Sequence, residues 1–117
     1  MTLDQPLITE ATVETLKQLR SRLAQPLNWT KGAAARDATG RPVDLYHPSA
    51  CKWCLVGALI RDYGPGTASA QKVLKAIAGP RLFDFNDTHT HDEVIAKIES
   101  SIALAETAVA NQGASNA

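Results

Sequence analysis

The sequence predicts a mainly α fold: about four helices packed around a buried central helix at residues 49–63. Residues 31–46 are open between a minor β-hairpin and a plain loop. Three observations lead there. First, residues 49–60 are apolar on two helical faces. Cys51, Cys54, Leu55, Ala58 and Leu59 recur at helical spacing on one, and Trp53, Val56, Gly57 and Ile60 fill the other. A helix apolar nearly all round is buried on several sides. Second, three further stretches keep a 3.6-residue period and are separated by proline or glycine. Third, 117 residues with 44% hydrophobic content suffice for one core and one domain.

Taken in order, residues 1–8 read as a loose lead-in and residues 9–110 as a single compact helical domain. Thr9 is a suitable N-cap for a first helix over 10–24, in which Val13, Leu16, Leu19 or Arg20, and Leu23 keep helical period and Lys17, Arg20 and Arg22 lie on the wet side. Pro26 stops it. Trp29 plugs the core or lines a cleft. In residues 31–46, Asp37-Ala38-Thr39-Gly40 has turn chemistry, and Pro42 would confine any strand to an edge.

Ser49 reads as the N-cap of the central helix and Gly64-Pro65-Gly66 as its end. Gly57 inside it costs about 1 kcal/mol relative to alanine, and the return is close approach of another backbone. Thr67 or Ser69 caps a third helix with Val73, Leu74 and Ile77 inside; Gly79-Pro80 ends it. A short connector holds Leu82, Phe83 and Phe85 and leads into Asn86-Asp87. Thr90 and Glu93 form a capping box for the last and longest helix, which turns Val94, Ile95, Ile98, Ile102, Ala105 and Val109 inward. Residues 111–117 read as a disordered polar tail.

Twelve basic and twelve acidic residues cancel, so nothing favours phosphate neutralisation and no nucleic-acid partner is expected. No apolar run nears the roughly 20 residues of a membrane span, and the start lacks the basic and apolar regions of a signal peptide. The expected location is cytoplasmic, where Cys51 and Cys54 would be reduced thiols. The sequence implies no cofactor. Self-association is open.

Four groups of residues could carry chemistry. Cys51-Lys52-Trp53-Cys54 is a C-x-x-C without the βαβ context of redox motifs. Cys51, Cys54, His89 and His91 could supply four zinc ligands, with His47 as a substitute, although His-x-His is not the usual spacing. Cys54 could be a nucleophile, with His89 or His91 as base and Asn86 or Asp87 orienting it. Finally, Asn86 and Asp87 could instead clasp free backbone groups at a helix end.

Trp29, Gly32, Ala35-Arg36-Asp37, Gly40, Trp53-Cys54-Leu55-Val56-Gly57-Ala58-Leu59 and Phe85-Asn86-Asp87 occur in an order that resembles a family of small bacterial and phage-encoded proteins of unknown function. The likeness spans about residues 13–105. It carries an aromatic-Cys-x-x-Gly-Ala-Leu helix and a later aromatic-Asn-Asp, here Cys54, Gly57, Ala58, Asn86 and Asp87. It does not require Cys51, His89 or His91, and it implies no activity. The sequence therefore favours an uncharacterised, non-catalytic binding or accessory module. The alternatives are a cysteine-dependent hydrolase or transferase and a zinc-stabilised module.

Overall fold

In a computed structural model, which describes residues 7–115, helix α1 (Glu10–Leu23) begins at Thr9. The Thr9 hydroxyl accepts from the Ala11 N–H, and the Thr9 N–H donates to Thr12 Oγ1 at 2.9 Å. A 3-10 turn (Pro26–Asn28) then leads into three two-residue strands: β1 (Ala35–Arg36), β2 (Pro42–Val43) and β3 (Lys52–Trp53). Four more helices follow: α2 (Leu55–Arg61), α3 (Thr67–Ala78), α4 (Leu82–Thr88) and α5 (His91–Ser115). The mainly helical fold is as the sequence predicts.

Residues 31–46 do form a hairpin. β1 is the middle strand of a small antiparallel sheet ordered β2-β1-β3, with Ala35 opposite both Val43 and Trp53. Its turn is organised by Asp37, whose Oδ1 accepts from the Thr39 and Arg41 N–H groups at 2.9 and 3.0 Å. Gly40 supplies the positive φ of 88° that the turn needs. Pro42 lies on the edge strand, where its missing N–H removes no ladder bond.

The central helix is a correction in extent. It does not span residues 49–63 and is not capped by Ser49; it covers Leu55–Arg61 and is capped by Cys54. The free edge of β1 competes for the preceding backbone and wins: the Cys51 N–H donates to Arg36 O at 3.0 Å, and the Cys54 N–H donates to Ala34 O at 3.2 Å. The apolar spacing that suggested one long helix is shared between a strand and a helix buried on all sides, Leu55 through Leu59. Gly57 shows the expected return for its low helix propensity. A Cβ there would collide with the carbonyl oxygen of Ala34.

α1 and α5 lie antiparallel along the long axis, tied by His91 to Leu23 O at one end and by Lys17 to Glu106 further along. α3 packs on α5 and on α1, where Gly66 meets the Ala11 carbonyl and Thr12 Oγ1 lies 2.6 Å from Ser69 Oγ. Leu16, Leu23, Leu55, Leu59, Leu74, Val94 and Ile98 fill the core between these elements. The Thr90–Glu93 capping box starts α5, with reciprocal bonds of 2.8 and 3.2 Å. α5 extends through Ser115, into the stretch read from the sequence as a tail. Residues 116–117, and most of the lead-in at 1–6, lie outside the described residues.

The expected connector at 82–88 is helical instead, as α4. Leu82, Phe85 and Asn86 turn inward at i, i+3 and i+4. Phe83, between the two inward apolar residues, faces outward and is 54% exposed.

Candidate functional site

The motif residues meet under the N-terminus of α2. Strand β3 runs straight into this helix, so Cys54 and Leu55 occupy its first turn, and α4 crosses beneath and presents Asn86. The first amides of a helix have no intrahelical partner. Here two of them are met by side chains. The Gly57 N–H donates to Cys54 Sγ at 3.2 Å, and the Leu55 N–H donates to Asn86 Oδ1 at 3.1 Å.

Asn86 is 0% exposed and uses both ends of its amide. Its Oδ1 also accepts from Trp29 Nε1–H at 2.7 Å, and its Nδ2 donates to Thr30 O at 3.0 Å and to Asp87 Oδ1 at 3.3 Å. Asp87 is exposed and accepts from the Gly32 N–H at 2.9 Å. One residue thus joins α4 to α2 and to the loop after the 3-10 turn. Arg36 secures the same loop from the sheet side, donating to Thr30 Oγ1, Lys31 O and Gly40 O at 2.9 Å each.

Cys54 is only 1% exposed. Burial pushes its thiol above the ordinary 9.0; the Gly57 and Val56 amides oppose that, and the Asp87 carboxylate adds to it. The thiolate is therefore disfavoured, opposite to what a cysteine nucleophile needs.

The histidines are engaged elsewhere. His89 stacks on Phe85 with ring centroids 4.2 Å apart and places Nδ1 2.8 Å from Phe85 O. His91 places Nε2 2.6 Å from Leu23 O and tilts against Trp29 at 5.6 Å. Among the described residues neither is hydrogen-bonded to Cys54. The structure therefore brings together Cys54, Asn86 and Asp87, and it leaves both candidate bases attached to backbone carbonyls.

The other cysteine readings fare similarly. Lys52 and Trp53 are extended, so the Cα atoms of Cys51 and Cys54 stand about 10 Å apart, three strand steps. That exceeds the roughly 7 Å beyond which a disulfide needs backbone movement. Among the described residues no three or more His, Cys, Asp or Glu side chains are grouped to hold a metal ion, so Cys51, Cys54, His89 and His91 do not form a zinc site. His47 is turned to Ser49, with Nδ1 2.7 Å from its hydroxyl.

Two concavities flank this clasp. The larger, an open groove of about 1020 Å³ between α1 and β3, contains half-buried Cys51, with Trp53 and Arg22 beside it. Arg22 lies 4.9 Å from the centroid of the Trp53 ring and donates to Asp62 Oδ2 at 2.6 Å. The smaller, about 390 Å³, lies where α2, α3 and α4 meet. Sequence reasoning missed both, because they are made by residues distant in the chain. It also missed Trp29 as the indole donor to Asn86; the signal available was its place in the same ordered set of motif residues.

No helix among the described residues is long and apolar enough to cross a membrane. No curated protein and no solved structure matches the chain significantly. One family does, over residues 8–104, and the chain accordingly belongs to the family of unknown function DUF6197.

Proposed function

We propose that this protein is a small, non-catalytic binding or accessory module of bacterial or phage origin, acting in the cytoplasm, whose motif residues are architectural. The observation that carries this reading is the commitment of Cys54 and Asn86 to backbone amides at the start of α2. A hydrolase or transferase built on Cys54 would need an accessible thiolate and a base beside it. Burial, the raised thiol pKa and the two engaged histidines all speak for the binding module instead. The location is carried over from the sequence reading, in which the two cysteines are reduced thiols. The origin rests on the motif resemblance.

Site-resolved iodoacetamide labelling near neutral pH tests the reading. Half-buried Cys51 should label in the native protein, and Cys54 only after unfolding. Rapid native labelling of Cys54, slowed in His89→Ala or His91→Ala, would establish the enzyme reading in its place.

A further inference from the structure

We propose that the smaller cavity, between α2, α3 and α4, binds a small amphiphilic carboxylate: an apolar chain or ring bearing one carboxyl group. The inference rests on the binding-module reading and names its ligand class. Val56 and Leu82 are buried and supply an apolar floor, and Phe83 stands beside them with 54% of its surface exposed. A volume of about 390 Å³ suits a small molecule, since such sites run from about 300 to 1,000 Å³.

Charge selects the head group. Three charged side chains line the cavity: Lys75, Arg81 and Asp84. The single anion is already satisfied, with Asp84 Oδ2 2.8 Å from Arg81 Nε. Arg81 retains its terminal N–H groups, and Lys75 has no ion-pair partner among the described residues. An apolar floor bordered by unpaired Lys75 and by the Arg81–Asp84 pair carries one net positive charge, which recognises a carboxylate and disfavours an amine. The larger groove offers no such selection. Its Glu14 and Asp62 balance its Lys17 and Arg22, so its lining carries no net charge.

The test is two-dimensional amide NMR on the full chain, titrated with octanoate, octan-1-ol and octylamine at matched millimolar concentrations. Octanoate should shift the Val56, Lys75, Leu82 and Phe83 amides, more strongly than octanol, and octylamine should leave them unmoved. Lys75→Gln and Arg81→Gln should each weaken octanoate about two- to fivefold, as expected for a partly solvated ion pair. Both side chains border solvent, so these variants keep the fold, which the same spectra verify. Unmoved amides with octanoate, equal response to all three probes, or unchanged affinity in both variants would overturn the proposal. None of those results touches the protection of Cys54, so the two readings fail separately.

Discussion

Replacing Asn86 with alanine should be among the most destabilising substitutions in this chain. The change removes the acceptor for the Leu55 N–H and the Trp29 indole N–H, and the donor to Thr30 O. A buried polar group left without a partner costs about 1–3 kcal/mol. The Leu55 amide is fully enclosed, and the other two are partly enclosed and should fall near the lower end. The sum is about 4 kcal/mol, a large share of the 5–15 kcal/mol typical of a domain. Urea unfolding followed by circular dichroism reads it. At a slope of about 1–3 kcal/mol/M the midpoint should drop by about 2 M. Asn86→Leu separates bonding from volume: it fills the space and still strands three polar groups, so it should lose about as much as alanine. A loss under about 1 kcal/mol in either variant would refute the clasp, because water would then be replacing the asparagine at little cost.

The same geometry fixes other outcomes. Gly57→Ala should lose about 2–4 kcal/mol in the same urea assay, since the collision with Ala34 O outweighs the gain in helix propensity of about 1 kcal/mol. Thr90→Ala should lose about 1 kcal/mol through the cap of α5. Burial raises the Cys54 thiol above 9.0 in the folded chain only, so the folded state holds its proton more tightly. Stability should therefore be complete below that pH and fall as pH rises beyond it. Cys54→Ser should lack this alkaline component, so comparing the two pH–stability curves isolates it.

Much of the fold was legible because local chemistry and tertiary packing agree. Thr9 and Thr90 cap the helices they announce, and Val13, Leu16, Leu19 and Leu23 face inward at helical spacing. Gly57 signalled a close backbone contact, and the contact is Ala34. What misled was the double use of one apolar run. Cys51 through Leu59 satisfies a helical period, yet its first residues serve the edge of β1, and no local signal distinguishes a two-residue strand from a helical turn. Cys54 consequently looked like a residue inside a helix, whereas it caps one through sulfur. α4 was masked by Asp84, Asn86 and Asp87, which favour turns, although Leu82, Phe85 and Asn86 have helical spacing. The sequence offered Asn86 as a clasp on free backbone groups at a helix end, and its Oδ1 does accept from the Leu55 N–H. Which amides Cys54 and Asn86 would meet was not legible, because backbone groups leave no mark on side-chain pattern.

The most direct measurement is the rate at which Cys54 reacts with a thiol reagent as a function of urea, site-resolved against Cys51. If Cys54 is an architectural cap, its labelling should require opening of the fold. Its apparent opening free energy should then approach the global unfolding free energy and fall with urea at a comparable slope. Labelling of Cys54 that is fast in water and insensitive to low urea would contradict the account and return the cysteine to the list of candidate nucleophiles.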